Sequence, residues 1–383
     1  KHNGKFEMVS LSELCELIRG VTYSKEDEVE EDGYKVLRAN NIKLDSGKID
    51  FNDVKLISKN LKLSDKQKLK AKDIFICTAS GSAEHIGKTA FVEQDIDYYF
   101  GGFMGAIRCN EQVLPEFLFQ NLRGERFNKH LNDIIAGANI KNLKAEFLYS
   151  FKIPLPPISI QQEILNKIEI FEKIKSGAKQ VVENYKPQID IKPEWEMVEL
   201  GNVANVTSSK RIFQEEYTQE GVPFYRTKEI VELSQGKEIS LELFISKERF
   251  NELRTKNDIP KKGELLISAV GTLGVIWVIS DDREFYFKDG NLIWVKELKG
   301  VNPFFLKYVL ENAFSYRMAE LSNGAAYNAI TIVKLKQLSI PLPSLSEQDS
   351  IVTQIEKEQQ LVNASKELVN IYEQKIKDEI NKL

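Results

Sequence analysis

The chain has 383 residues, 42% of them hydrophobic and 29% charged, with three cysteines and a formal net charge of −4. That is the balance of a globular protein of two or three domains. It excludes a disulfide-framed module or a CxxC zinc site, because Cys15, Cys77 and Cys109 are too scattered, and it holds no apolar run long enough for a membrane span. A reducing, cytoplasmic setting is expected. No segment is globally basic, so any DNA binding needs positive charge gathered on one face or supplied by a partner.

In chain order, the apolar segment FEMVSLSEL (6–14) is followed by strands of period-two or fully apolar pattern, KVLRANNI and DIFICT. The next stretch, ASGSAEHIGKT (79–89), comes close to a phosphate-binding loop, but has one residue too many between Gly81 and Gly87-Lys88-Thr89. Tyr98, Tyr99 and Phe100 are expected to be core rather than base-stacking groups. Pro115 suits the first turn of a helix over 115–131. A Gly-containing loop (136–143) leads to IPLP, where proline holds the chain extended. A helix follows, with Ser159 as expected N-cap and Gln162 at the third position of a capping box. It ends near Lys186-Pro187, and PQIDIKPEW reads as a linker.

Beyond the linker the same order returns at an offset of about 190 residues. FEMVSLSEL returns as WEMVELGNV (195–203), YKVLRANNI as VPFYRTKEI (222–230) and LPEFL as NPFFL (302–306). FKIPLPPISIQQEILNKIE (151–169) returns as LSIPLPSLSEQDSIVTQIE (338–356), where Ser346 and Asp349 take the capping positions. The second copy also carries the strand patterns ELLISAV and LIWVK, a helix over 303–321 and a late loop at 323–330. The repeat settles the odd loop. Gly81 aligns with Gly271 and Gly87 with Gly274, but the second copy lacks the lysine and its spacer is three residues shorter. A nucleotide cradle tolerates neither change.

Both closing helices carry seams at heptad spacing. The first has Ile164, Phe171, Ala178 and Tyr185, with Ile174 and Val181 between them; the second has Ile355, Val362, Val369, Ile376 and Leu383. Matching seams favour the two helices packing on each other.

The duplication, together with KIPLPPISIQQEIL and SIPLPSLSEQDSIV, resembles the specificity subunit of Type I restriction-modification enzymes over nearly the whole chain. Two departures stand out. Gly263-Glu264 and Lys72-Asp73 occupy the place of the family's common Gly-Asp, and the GSAEHIG loop exceeds the usual short Gly-x-x-Gly turn. The resemblance implies an α+β fold of two tandem repeated target recognition domains, each followed by a long helix, the two helices pairing as an antiparallel coiled coil. The expected boundaries are 1–157 and 188–343 for the domains, 158–187 for the central spacer helix and 344–383 for the C-terminal one. Each domain would read one half of a bipartite asymmetric DNA site. The helices would set the spacer and dock two methyltransferase subunits, with restriction (motor) subunits as further partners; no membrane is involved. AdoMet and ATP are expected only on partner subunits. Two alternatives stay open: the specificity region of a single-chain restriction-modification enzyme, which the non-Met start permits, and a coiled-coil adaptor that binds no DNA.

Catalytic signals are weak. The chain has neither an amino-methylation motif nor a Gly-rich AdoMet loop. Asp289, Glu297 and Lys299 loosely resemble a nuclease set, but the first copy does not repeat them, and His2, His85 and His130 lack metal-ligand spacing. The expected DNA contacts are polar groups on loops at strand ends. Arg38, Asn40, Asn41 and Lys43 match Arg226, Thr227 and Lys228. Arginine grips guanine and asparagine adenine in a bidentate manner; the competing reading of Arg38 and Arg226 is a fold-holding ion pair in both copies. Thr78, Ser80, Gly81 and Ser82, like Ser268, Gly271 and Thr272, offer hydroxyl and backbone N–H groups to phosphates. Lys88 is a phosphate candidate, and Asn139, Lys141 and Asn328 are candidates on the late loops.

Overall fold

The computed structural model describes residues 6–44, 46–82, 85–138, 142–256, 258–323 and 327–382. The chain divides into two compact units, one formed by residues 1–183 with 364–383 and the other by 184–363. The last part of the C-terminal helix therefore belongs with the first repeat.

The two copies are built alike. A four-stranded antiparallel sheet forms in the first copy from Cys15–Arg19, Met104–Cys109, Ile74–Cys77 and Thr89–Phe91, in that spatial order. Its counterpart is Asn205–Thr207, Leu292–Lys296, Leu265–Ser268 and Ile276–Val278. The apolar runs seen in the sequence are the central strands, covered on both faces. Ile74 and Ile76 pack into one core and Phe75 and Cys77 into another, as alternation along a strand requires. In the second copy Leu265 and Ile267 face one core and Leu266 the other. A second sheet in each copy contains a parallel pair, Val36 and Leu37 opposite Tyr99 and Phe100, and Phe224 and Tyr225 opposite Tyr286 and Phe287. Tyr99 and Phe100 are thus core residues, 5% and 0% exposed.

A two-stranded ladder ties the start of each copy to its end. Met8–Ser10 pairs with Lys152–Pro154, and Glu196–Glu199 with Ser339–Leu342. This is why the FEMV and IPLP segments recur together. The proline-bearing segment lies at an edge, where a missing N–H costs no ladder bond.

Three expectations need correction. The helix expected over 115–131 is broken into Pro115–Arg123 and Glu125–Ala138. Gly124 ends the first piece in extended conformation, whereas the second copy, with Asn312 at the aligned place, runs unbroken from Pro303 to Leu321. Ser159 and Ser346 are not caps: the closing helices already begin at Ile158 and Leu345. In the second, Ser344 Oγ accepts from the Glu347 N–H at 3.3 Å. The seam is also only partly buried. Ile164, Ala178, Ile355 and Val362 are buried, and Ile376 packs against the first core. Val369 is half-buried and Leu383 lies outside the described residues. Ile174 and Val181, however, are 37% and 45% exposed, because the helix turns that edge away from its partner.

The closing helices pair antiparallel within the first unit. Lys167 Nζ meets Glu379 at 2.9 Å and the Phe171 ring lies 5.5 Å from that of Tyr372, so an advance along one helix is a retreat along the other. Ile164, Ile168 and Ile380 join one core. In the second unit the Tyr185 hydroxyl donates to Glu358 at 3.0 Å.

Candidate nucleic-acid interface

At the end of each four-stranded sheet, three segments are sewn together by the same backbone bonds. After the strand Ile74–Cys77, Cys77 O accepts from Gly87 N–H at 2.9 Å, as Ser268 O accepts from Gly274 N–H at 2.9 Å. Gly87 and Gly274 have φ of +82° and +74°, so the loop-closing turn needs glycine in both copies. Next, Thr78 N–H donates to Phe103 O at 2.9 Å, and Ala269 N–H to Asn291 O at 2.8 Å. Last, the late loop returns: Leu143 N–H donates to Thr78 O at 2.6 Å, and Ile330 N–H to Ala269 O at 3.2 Å. A Gly loop, a turn and a late loop thus meet at one sheet end twice over.

Some expected contact residues lie toward the surface there. Ser80 and Ser82 are half-buried, with Ser80 Oγ accepting from the Ser82 N–H at 3.2 Å. Gly81 and Gly271 face open space, Thr272 is exposed, and Lys88 is half-buried. Others are internal. Thr78 is 9% exposed and its hydroxyl donates to Phe103 O at 3.0 Å. Ser268 is fully buried, its hydroxyl bonded to Thr272 O and accepting from Val275 N–H. These two hydroxyls hold the loop and are not free for phosphates. Asn139 and Lys141 lie outside the described residues; Asn328 is on the strand Tyr327–Ile330, its side chain outside the described ones.

The second cluster surrounds Arg38 and Arg226, each of which precedes a helical turn. Arg38 N–H donates to Asn41 Oδ1 at 2.8 Å, and Arg226 N–H to Glu229 Oε2 at 2.7 Å. Asn41 is 1% exposed and its amide also donates to Asp50 O and Asp53 O. It is a structural group, which corrects its reading as an adenine contact. Asp53 accepts from Arg38 Nη2 at 2.9 Å and from Asn40 Nδ2 at 2.7 Å; Lys43 lies 3.5 Å from Asp50. In the second copy Arg226 reaches Glu229 and Glu242, both at 2.7 Å, and Lys228 shares Glu242 at 2.7 Å. Lys228 first, then Arg226, hold the Glu242 carboxyl down at about 2. Glu229 chiefly, with Glu242, raises the Arg226 guanidinium above its ordinary value.

Magnitudes separate the two arginines. The Asp53 side chain is 69% exposed, and such a surface pair is worth about 0–1 kcal/mol. A bidentate base contact discriminates by about 1–3 kcal/mol, enough to redirect Arg38. Glu229 is only 3% exposed, so moving Arg226 away strands a buried carboxylate at a cost of about 3–5 kcal/mol. Arg226 is held in place by the fold, together with the half-buried Thr227 at the start of its helix.

One exposed group escaped the sequence reading. Phe103 follows Gly101-Gly102 and is 72% exposed, although its carbonyl anchors the Gly loop. Its equivalent is Asn291. The signal was present in YFGGFMG: an aromatic set between glycines just after a strand. Asp289, of the loose nuclease set, pairs with Arg211 at 2.9 Å. Among the described residues no group of acidic, His or Cys side chains could hold a metal ion, and no helix is long and apolar enough to cross a membrane.

A family model described as Type I restriction modification DNA specificity domain matches residues 3–184 and 192–376. The Type I restriction enzyme StySPI specificity subunit of Salmonella potsdam and the EcoKI specificity subunit of Escherichia coli are each 33% identical over 162 residues. Those matches cover 42% of this chain and span only 34% of either relative. The putative type I restriction enzyme MjaX specificity subunit of Methanocaldococcus jannaschii is 27% identical over 413 residues, covering 96% of this chain and 92% of the relative. Among solved structures, the HsdS subunit from Thermoanaerobacter tengcongensis superposes with a TM-score of 0.55 at 22% identity, covering 98% of this chain and 96% of that one. A chain from a study of assembly and conformational transition of the type I R-M system gives 0.64 at 22% identity, covering 99% and 97%. These structural likenesses speak to the fold.

Proposed function

Given that the chain belongs to the Type I restriction modification DNA specificity domain family in both of its halves, we propose that it is the non-catalytic, sequence-reading component of a Type I restriction-modification system. Each copy reads one half of a bipartite, asymmetric DNA site, and the complex works in the cytoplasm. The observation that carries this reading is the duplicated three-segment cluster. The backbone bonds that build it are the same in both copies, while its side chains differ: Phe103 against Asn291, and a longer loop before Gly87 than before Gly274. A shared scaffold with divergent tips suits two readers of unlike half-sites. In the first copy Ser80, Gly81, Ser82 and Lys88 are the contacts assigned to phosphate, and Arg38, Asn40 and Lys43 those assigned to bases. In the second the corresponding set is Gly271, Thr272 and Lys228.

The paired helices act as the spacer. The first spans 27 residues, about 40 Å at 1.5 Å per residue, close to one DNA turn of roughly 34–36 Å. Ile170, Ile174 and Val181 form an exposed apolar stripe on it, with open space at Gly177; on this reading the stripe docks a methyltransferase subunit. Because the chain is net acidic, affinity depends on basic surface of the partners and falls with salt.

The test is adenine methylation mapped by long-read sequencing with the gene intact and deleted. Loss of one bipartite motif on deletion is the expected result. An unchanged methylome overturns the reading and brings the adaptor alternative forward. Inserting one heptad into each spacer helix is expected to lengthen the gap between half-sites and leave the half-sites themselves unaltered.

A further inference from the structure

We infer that Gln161 and Gln348 are positioning residues that lock each spacer helix to its domain and thereby set the spacing the protein accepts. The inference rests on the proposed reading and adds residues to it. Both glutamines sit in the first turn of a spacer helix and both are 0% exposed. Gln161 Oε1 accepts from Leu114 N–H at 2.8 Å; its Nε2 donates to Gln112 O at 3.1 Å and to Pro156 O at 2.8 Å. Gln348 Oε1 accepts from Asn302 N–H at 2.7 Å; its Nε2 donates to Gly300 O at 3.0 Å and to Pro343 O at 2.9 Å. In each copy one side-chain amide uses its acceptor and both amide hydrogens. It bridges the spacer helix, the proline turn that enters it, and the loop leading into the helix Pro115–Arg123 in one copy or Pro303–Leu321 in the other.

The chemistry of the junction makes the amide the directional element. The turn runs through Pro154, Pro156 and Pro157 in one copy and Pro341 and Pro343 in the other, and proline has no N–H with which to brace itself. The apolar contacts at the helix root, Ile164 and Ile168 or Val352 and Ile355, are non-directional and permit rotation. Three hydrogen bonds from one rigid amide do not. The lever is long: over about 40 Å, slack of about 5° at the root moves the far end by about 3.5 Å, close to the roughly 3.4 Å rise of one base pair. Loosening this joint is therefore expected to blur spacing before it blurs base identity.

The experiment uses the full chain assembled with its methyltransferase, with methylated motifs mapped for wild type, Gln161→Met, Gln348→Met and the double variant. A further variant, Leu114→Pro, removes the bond from the other side; Leu114 already has φ −68°, which proline adopts. The expected result is unchanged half-sites with methylation at spacers one base pair longer or shorter, so that spacer discrimination drops at least about tenfold. Folded variants that keep wild-type discrimination overturn the inference while leaving the proposed function intact. Variants that do not fold at all make these glutamines folding determinants, which also overturns it. A wild-type complex that methylates no bipartite motif removes the proposed function itself, and this inference with it.

Discussion

Replacing Asp73 with alanine tests how the first copy is held together. Asp73 is 2% exposed and directly precedes the central strand. Its carboxylate accepts from Arg108 Nε at 2.9 Å, Arg108 Nη2 at 3.1 Å and Lys70 N–H at 2.9 Å. Removing one partner of a buried pair costs about 3–5 kcal/mol. The Arg108 side chain is 25% exposed and keeps its bond to Lys68 O, so water recovers part of the loss and the lower bound of about 3 kcal/mol applies. For a unit of this size each kcal/mol shifts Tm by about 2–4 °C, giving a drop of roughly 6–12 °C. The chain carries its own reporters. Cys15, Cys77 and Cys109 all lie in the first copy, and Trp195, Trp277 and Trp294 all in the second. Thiol labelling against temperature then follows the first copy, and tryptophan fluorescence the second. The thiol midpoint is expected to fall by that amount in Asp73→Ala and the tryptophan midpoint to stay. A thiol midpoint within about 2 °C of wild type would refute the reasoning, reducing the bridge to the value of an exposed pair.

Lys72 has φ +71°, and its counterpart Gly263 has φ +85°; Lys72→Gly is therefore expected to raise the thiol midpoint, since a non-glycine residue there costs about 1–2 kcal/mol. Burial pushes the thiols of Cys15 and Cys109 up to about 12 and that of Cys77 to about 11. At pH 8 an alkylating reagent should react far more slowly with all three in the native protein than in denaturant, most slowly with the buried Cys77, the other two being half-buried; native labelling as fast as that in denaturant would contradict the raised values. Glu242 has its carboxyl lowered from 4.5 to about 2 by Lys228 and then Arg226. A depressed folded value contributes stability above the unfolded value, lost as pH falls from 4.5 toward 2. Glu242→Gln should flatten the pH dependence of the tryptophan midpoint in that window and leave neutral-pH folding intact.

Much of the architecture was legible because it was written twice. The pairing of FEMV with IPLP, the apolar central strands and the two closing helices all recur, and recurrence separates scaffold from accident. The capping positions lie two residues earlier than the local pattern places them, as Ser344 and Glu347 show in the second copy. Gln162 and Asp349 fit a local rule, whereas Gln161 and Gln348 are the residues the fold uses, through partners 47 and 46 positions away in sequence. The loop hydroxyls show the same limit. Thr78 and Ser80 look alike in sequence, yet Thr78 is turned inward by Phe103 O while Ser80 stays at the loop.

The sequence by itself determined the duplication, the family and the order of elements, because periodicity and repeated motifs are local properties of the chain. Tertiary structure alone decided which polar groups remain available. Arg38 meets an exposed acid and Arg226 a buried one, although the residues align. That difference turns on Glu229 being enclosed by its domain's packing, and burial sets the cost of separating a pair of charges. No local pattern encodes it, because solvent access at one residue depends on every segment folded over it.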